Sequence, residues 1–211
     1  MALAHKVGQT APRHSMTEAE YLTAEQLADE RHEYVDGQVF LMAGTSKRHN
    51  RIAGNFYRMF MSSNNKACEA FMSDVKVRAR KHKSFYYPDV VVGCTDDDDS
   101  DDYYLEKPCL IVEVLSPSTL RKDYLEKTVA YQALPSLQAY LIVAQEQMQV
   151  DLLLRTETGW VLQQFDQPEQ EIPLPCVDMQ MSVASVYEGV TFKAAAPPDG
   201  ENADDADSPV V

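Results

Sequence analysis

Apolar residues recur at helical spacing in three parts of the chain. Thr17 and Glu20 match a capping box, which predicts the start of a short helix. A longer helix is predicted from about 48 to 61. Another is predicted from about 120 to 133, after the N-cap candidates of 116–119. The apolar face of the 48–61 helix consists of Ile52, Phe56, Met59 and Phe60.

Other apolar runs have the length and composition of strands. Asp36 and Gly37 predict a tight turn that leads into a strand over 39–42. The continuous apolar run 109–115 predicts a central strand buried on both faces. With the helix that follows and a strand over 139–144, it predicts a right-handed crossover and parallel pairing. Further predictions are a hairpin of 70–77 with 86–93, a hairpin of 150–155 with 160–165, and a short helix over 183–187.

The composition is that of an ordinary soluble domain, with 211 residues, 45% of them hydrophobic and 25% charged. We predict a flexible arm over 1–15, one folded domain over 16–193 and a disordered acidic tail over 194–211. No apolar run is long enough to span a bilayer, so no membrane partner is expected. The first fifteen residues lack the apolar segment of a signal peptide, and the expected compartment is the cytoplasm.

The net charge of −14 is unfavourable for a protein that binds nucleic acid. Eleven acidic residues, however, lie in the run 96–102 and in the tail after residue 194, and −3 remains for the rest. Two basic clusters could neutralise DNA phosphates, although each of their residues fits a solvated face equally well. The first cluster is Lys47, Arg48, His49, Arg51 and Arg58, and the second is Lys76, Arg78, Arg80, Lys81, His82 and Lys83.

The four cysteines are far apart in the sequence, with no C-x-x-C pair and no histidine nearby. This spacing argues against a structural zinc site and against a dense disulfide framework. We therefore expect Cys68, Cys94 and Cys109, which lie in or beside apolar runs, to be plain buried thiols.

Two carboxylates interrupt runs that are otherwise apolar. Asp89 follows Pro88 and precedes three valines, and Glu113 lies inside the central strand candidate. A charge in a buried strand is costly unless it is paired or binds a metal ion. The two positions predict adjacent strands that present both carboxylates to one point. Such hard oxygen ligands suit Mg²⁺, which could activate water against a phosphodiester.

Three further residues are candidates for this site. Lys127, or Lys122 earlier on the same helix, could orient or deprotonate the attacking water or stabilise the charge that develops on phosphorus. Glu33 could contact the metal directly or through another ligand. Structural alternatives remain open, since Lys127 could pair with Asp123 on a solvated helix and Glu33 could lie at a solvated helix end. Asp89 could equally cap a loop after Pro88.

Four segments, taken in order, carry a family resemblance. They are 32–37 (HEYVDG), His49 with Gly54-Asn55, 87–90 (YPDV), and 112–119 (VEVLSPST) followed by Asp123, Lys127 and Tyr131. Over roughly residues 17–190 the chain resembles the Uma-two family of restriction-type endonucleases in the PD-(D/E)XK superfamily. The resemblance implies an α/β fold with a restriction-endonuclease-like core, a mixed β-sheet flanked by α-helices. It also implies Mg²⁺ between Asp89 and Glu113, and a homodimer. The lysine of E-x-K would fall at Leu115, so the resemblance assigns its role to Lys127.

Three functions are compatible with these residues. The first is a Mg²⁺-dependent endodeoxyribonuclease, a hydrolase of DNA phosphodiester bonds in which Mn²⁺ could replace Mg²⁺. The second is a binding or regulatory module that keeps the nuclease fold without activity, which would agree with the acidity and the missing E-x-K lysine. The third is a metal-dependent hydrolase of small phosphodiesters.

Overall fold

The protein is described by a computed structural model over residues 15–63, 67–80, 83–94, 101–115 and 121–192, with backbone alone at 121–124. In these ranges the chain forms two larger β-sheets, one small hairpin and four α-helices. The helices are α1 (Glu18–Leu27), α2 (Lys47–Met61), α3 (Arg121–Gln132) and α4 (Val183–Val186). The strands are β1 (His32–Val35), β2 (Gln38–Leu41), β3 (Cys68–Met72), β4 (Lys76–Arg80), β5 (Ser84–Tyr86), β6 (Val90–Cys94), β7 (Tyr104–Leu105), β8 (Pro108–Leu115), β9 (Ala139–Ala144), β10 (Val150–Thr156), β11 (Gly159–Phe165), β12 (Glu171–Leu174) and β13 (Met179–Ser182).

The larger sheet has six strands in the order β11-β10-β9-β8-β6-β3. Strands β8 and β9 are parallel and α3 connects them, whereas the other pairs are antiparallel. The predicted central strand and crossover are therefore confirmed, as is the hairpin that β10 and β11 form. The fold is α/β with a mixed sheet flanked by helices, as predicted.

The pleat of β8 divides its side chains between two cores. Leu110, Val112 and Val114 face one side of the sheet, where they join Ile52 and Phe56 of α2 in the larger apolar cluster. The apolar stripe of α2 is buried there, as its spacing predicts. Fully burying one such side chain contributes about 1.5–3 kcal/mol.

The alternate residues of β8 face the other side of the sheet, which α3 covers. Ile111 packs there with Val91 of β6 and with Tyr131 and Tyr140. Glu113 follows Ile111 by two positions and so belongs to the same face. The strand that stabilises the fold thus carries one acidic side chain towards α3.

The second sheet has the order β2-β1-β5-β4-β7 and is covered by α1. The capping box of α1 is present as predicted. The predicted turn between β1 and β2 is also present, with positive φ angles of 46° at Asp36 and 85° at Gly37. Tyr21 of α1 stacks on Tyr34 with ring centroids 5.0 Å apart, which ties the helix to the sheet.

The predicted antiparallel pairing of 70–77 with 86–93 is present, but the hairpin is divided between the two sheets. Each of these runs breaks into two strands that enter different sheets: β3 pairs with β6, and β4 pairs with β5. The first break lies at Ser73, which has a positive φ of 40°. The second lies at Pro88, whose ring cannot donate a ladder hydrogen bond. Both breaks let the chain pass from one sheet to the other.

The hairpin of β12 and β13 was not predicted, and the short helix α4 was. No helix among the described residues is long and apolar enough to cross a membrane. The predicted tail, nearly all of the predicted arm, most of the acidic run and the N-cap candidates of 116–119 lie outside the described residues. The domain boundaries stay a prediction.

Candidate active site

One cavity of about 650 Å³ collects all four predicted site residues. Both sheets and two helices contribute to its wall. The site residues that line it are Glu33 of β1, Asp89, Glu113 of β8 and Lys127 of α3, together with His49 of α2.

Asp89, directly before β6, and Glu113 of the neighbouring strand β8 lie across from each other. Val90 of β6 pairs with Val112 of β8 in antiparallel register. One further step in that register sets Asp89 opposite Glu113. Residues directly opposite in an antiparallel pair point to the same face of the sheet. The predicted arrangement, two carboxylates on adjacent strands, is what the structure contains.

The Asp89 carboxylate is held by two contacts at one oxygen. Its Oδ2 accepts a 2.7 Å hydrogen bond from the Val114 N–H and lies 3.3 Å from Nε2 of His49. Burial alone would lower the pKa of His49, but the hydrogen bond to Asp89 and its charge prevail and raise it. Among the described residues both contacts go to Oδ2, which leaves Oδ1 for a ligand.

The Glu113 carboxylate is anchored in the same way. Its Oε1 accepts a 3.0 Å hydrogen bond from the Tyr131 hydroxyl and lies 3.4 Å from Nζ of Lys127. Burial raises the pKa of Glu113 to about 7, and the charges of Asp89 and Glu33 act in the same direction while Lys127 opposes them. No described residue contacts Oε2 by a hydrogen bond or an ion pair.

Lys127 lies inside the site and not on a solvated helix face. Its Nζ is 2.7 Å from Oε1 of Glu33 and 5.5 Å from the ring centre of Tyr86. Burial disfavours the ammonium, but Glu113 and Glu33 outweigh it and raise the pKa of Lys127. The alternative partner Asp123 and the alternative lysine Lys122 have side chains outside the described residues.

Glu33 lies in strand β1, so the alternative of a solvated helix end is wrong. Its Oε1 accepts a 3.3 Å hydrogen bond from the Tyr87 N–H besides the contact with Lys127. Its side chain is 17% exposed. The structure thus brings Glu33 and Lys127 to the two carboxylates, and their chemical roles stay predictions.

The charges around the cavity fit a divalent cation. Three carboxylates face one ammonium and one imidazole, which leaves negative charge in a partly buried site. In the described part of the chain, no three histidine or carboxylate groups of the cavity have ligand atoms within 4.8 Å of one another. Carboxylate oxygens are the ligands that Mg²⁺ prefers, and this ion takes only one or two carboxylates from a protein.

Only part of the predicted basic surface is exposed and could contact DNA phosphates. Lys76 is buried, with Nζ 5.6 Å from the ring centre of Tyr87. Arg78 forms ion pairs with Glu18 and Glu106. Lys76 is therefore not accessible to DNA, and the charge of Arg78 is already compensated within the protein. Lys81 and His82 lie outside the described residues. In the first cluster Lys47 and Arg51 are exposed, beside the cavity residues Ser46 and His49.

Two polar residues of the site had been given no role from the sequence. His49 was assigned to a basic cluster and Tyr131 only to a family motif. A buried polar side chain needs a partner, and here each partner is a carboxylate of the site. The available signal was that both residues occur in the motifs that carry the family resemblance.

Comparisons with known proteins agree with this picture. The Uma2 family model, described as "Putative restriction endonuclease", matches residues 18–184. An uncharacterized protein of Synechocystis, slr1290, is 33% identical over 185 residues, which cover 87% of this chain and 97% of the relative. A second Synechocystis protein, sll1609, is 35% identical over 133 residues, covering 62% of this chain and 75% of its own. A crystal structure titled as a "putative nuclease belonging to DUF820" from Anabaena variabilis has the same fold, with a TM-score of 0.68, 15% identity, and coverage of 83% of this chain and 99% of that one.

Proposed function

The chain belongs to the Uma2 family, and from this membership and the geometry of the cavity we propose that it is a Mg²⁺-dependent endonuclease that hydrolyses phosphodiester bonds in DNA. One observation carries the proposal. Asp89 and Glu113 face each other, and among the described residues each is fixed through one carboxylate oxygen while the other oxygen remains for a ligand.

Asp89 and Glu113 are the residues that would hold the metal ion. Two carboxylates on a rigid sheet meet the modest protein ligand count of Mg²⁺, and Mn²⁺ would substitute. When bound, the ion supplies polarisation of a phosphodiester oxygen, a more acidic water and stabilisation of the leaving oxyanion. His49 and the Val114 N–H would keep Asp89 in position for this ion.

Lys127 would act as a charged donor rather than as a base. Glu33 and Glu113 raise its pKa, so the ammonium keeps its proton near neutrality. A protonated amine at the cavity wall can donate a hydrogen bond to a phosphate oxygen and stabilise charge that develops there. Glu33 would hold the amine towards the cavity. This arrangement replaces the E-x-K lysine, which Leu115 cannot supply.

We propose that DNA approaches over the start of α2, where exposed Lys47 and Arg51 could neutralise phosphates. We also propose a homodimer. Phe40 and Leu41 line the cavity and are half-exposed, as are Leu125 and Val129 one turn apart on α3. Exposed apolar residues on neighbouring elements are typical of a protein contact. We propose the cytoplasm as the location, since both DNA and Mg²⁺ are present there.

A nicking assay tests the proposed function. Purified protein is incubated with supercoiled plasmid and Mg²⁺ or Mn²⁺, beside Glu113→Gln and the control Glu126→Gln, an exposed glutamate of the same cavity. We expect nicking by the wild type and by the control, and none by Glu113→Gln. Folded protein that cuts small diesters but no DNA would indicate the small-substrate hydrolase. Folded protein that cuts neither would indicate a binding module.

A further inference from the structure

All four cysteines meet in one place, although the sequence separates them widely. Cys68, Cys94 and Cys109 come from the neighbouring strands β3, β6 and β8, and Cys176 comes from the 3-10 turn Pro175–Val177. Cys68 and Cys94 are paired across β3 and β6 and form a disulfide. The expectation of plain buried thiols is therefore wrong for Cys68 and Cys94, which strand register brings together, whereas Cys109 is a free and buried thiol as expected.

The sulfur atoms form a cluster beyond the disulfide. The Sγ atoms of Cys68, Cys94 and Cys109 all lie within 4.8 Å of one another. The side chains of Cys109 and Cys176 lie close enough to interact with each other. The sulfurs of Cys68 and Cys94 lie 3.8 and 3.6 Å from the carbonyl oxygen of Cys176. The disulfide explains why Cys68 and Cys94 are adjacent, but it does not explain why Cys109 and Cys176 lie beside them.

The cluster is separate from the acidic site. Cys109 precedes Glu113 by four residues on β8, a distance of about 13 Å along a strand. The ligand chemistry also differs, since thiolates select soft or borderline ions such as zinc, whereas carboxylates suit Mg²⁺. Among the described residues this is the one group of three or more histidines, cysteines or acids with ligand atoms this close.

We propose that Cys68, Cys94, Cys109 and Cys176 bind one Zn²⁺ ion when the Cys68–Cys94 disulfide is reduced. A tetrahedral site with Zn–S bonds of about 2.3 Å separates its sulfurs by about 3.8 Å. The Sγ atom of Cys109 already lies within 4.8 Å of both disulfide sulfurs, so reduction and a small separation of Cys68 and Cys94 would give the three sulfurs this spacing. Four thiolates without a water position are the ligand set of a structural zinc site.

Conversion of the disulfide state into the zinc state requires a reductant and releases protons. A dithiol reductant gives two electrons and two protons to the Cys68–Cys94 bond, which becomes two thiols while the reductant becomes a disulfide. The four thiols then release four protons to solvent as four Zn–S bonds form. The zinc state would link β3, β6, β8 and the 3-10 turn, whereas the disulfide state links β3 and β6 alone.

Zinc analysis of the full chain tests this site. Protein is reduced with a dithiol, supplied with Zn²⁺, passed through a desalting column without oxygen and analysed for zinc per chain. A second sample receives Co²⁺, whose absorption spectrum reports tetrahedral thiolate ligands. We expect one more zinc per reduced chain than per oxidised chain, and a thiolate spectrum with cobalt in the reduced chain. A reduced chain that keeps its circular dichroism but retains no more zinc than the oxidised chain would overturn the proposal.

Variants separate this site from the acidic one. Cys176→Ser leaves the disulfide pair intact, and we expect the reduced variant to lose at least about tenfold in zinc affinity. Asp89→Asn and Glu113→Gln should retain the additional zinc of the reduced chain, whether or not they cut DNA. Unchanged affinity in Cys176→Ser, or loss of this additional zinc in Glu113→Gln, would contradict a four-cysteine site.

Discussion

The Nζ atom of Lys127 lies 2.7 Å from Oε1 of Glu33, and this contact joins the two sheets at the cavity. Glu33 belongs to the five-stranded sheet, whereas Lys127 belongs to the helix that covers the six-stranded sheet. The same ammonium reaches Glu113 at 3.4 Å. The ammonium of Lys127 thus compensates the charge of one carboxylate from each sheet. Replacing Lys127 therefore leaves both Glu33 and Glu113 without this partner.

Replacing Lys127 by methionine should strongly reduce DNA cleavage. The variant keeps the length of the side chain but loses the charge that would stabilise the transition state, and we expect kcat/KM to fall by about 100- to 1,000-fold. Lys107→Met, at an exposed position outside both basic clusters, is the control for general loss of charge. Equal activity in both variants, measured on a labelled DNA duplex, would show that Lys127 has no part in the reaction.

Replacing His49 by alanine should weaken metal binding rather than DNA binding. Its Nε2 lies 3.3 Å from Asp89 Oδ2 and helps to fix that carboxylate, and losing such a partner costs about 10- to 100-fold in metal affinity. Titration of activity with Mg²⁺ measures the effect, while KM for DNA should change little. A raised KM at saturating Mg²⁺ would instead assign His49 to the DNA contact. His49→Gln, which can still donate a hydrogen bond, should restore part of the affinity.

Stability without metal should depend on the protonation of Glu113. Its pKa is raised in the folded state from 4.5 to about 7, so the folded protein binds this proton more tightly than the unfolded chain. The contribution of Glu113 to the free energy of unfolding therefore falls as pH rises from about 4.5 to 7. The fall amounts to about 3 kcal/mol, at about 1.4 kcal/mol for each pH unit.

Urea unfolding in EDTA at several pH values measures this effect. Relative to Glu113→Gln, the free energy of unfolding of the wild type should fall as the pH rises from 4.5 to 7. Above pH 7 the difference between the two proteins should stay constant. A difference that is constant with pH would show that Glu113 keeps an ordinary pKa in the folded protein.

The exposed apolar residues of α3 should support the homodimer. Leu125 and Val129 are 55% and 57% exposed, and two glutamates there would introduce charge into the proposed contact. We expect the wild type to be a dimer by light scattering and the Leu125→Glu/Val129→Glu variant to be a monomer. Leu27→Glu is the control, since Leu27 is 84% exposed at the end of α1. A monomeric wild type would refute the dimer.

The parts of the fold that follow from local patterns could be predicted from the sequence. The central strand, the α3 crossover and the amphipathic helix α2 each have a period or a length that few other structures satisfy. Asp89 and Glu113 stood out for the same reason, because each interrupts an apolar run. The passage of a chain from one sheet to another has no such local signal, so the division of the 70–77 and 86–93 hairpin between two sheets was not predicted.

The partners within the site depend on tertiary contacts. Lys127 fits a solvated helix pair as well as a buried ion pair, and what decides between them is Glu33 on another sheet. The meeting of Cys68, Cys94 and Cys109 depends on the registers of β3, β6 and β8, which the spacing of cysteines does not encode. Internal ion pairs of Arg78 likewise depend on α1 and on the loop before β8.

The central claim is that Asp89 and Glu113 together hold one divalent cation. Calorimetric titration of the oxidised protein with Mn²⁺ tests it most directly, since the disulfide state withholds the cysteine site and Mn²⁺ prefers oxygen ligands. We predict one Mn²⁺ per wild-type chain, and loss of this binding in both Asp89→Asn and Glu113→Gln, with Glu126→Gln unchanged. Undiminished Mn²⁺ binding in the two variants, or no binding by the folded wild type, would contradict the account.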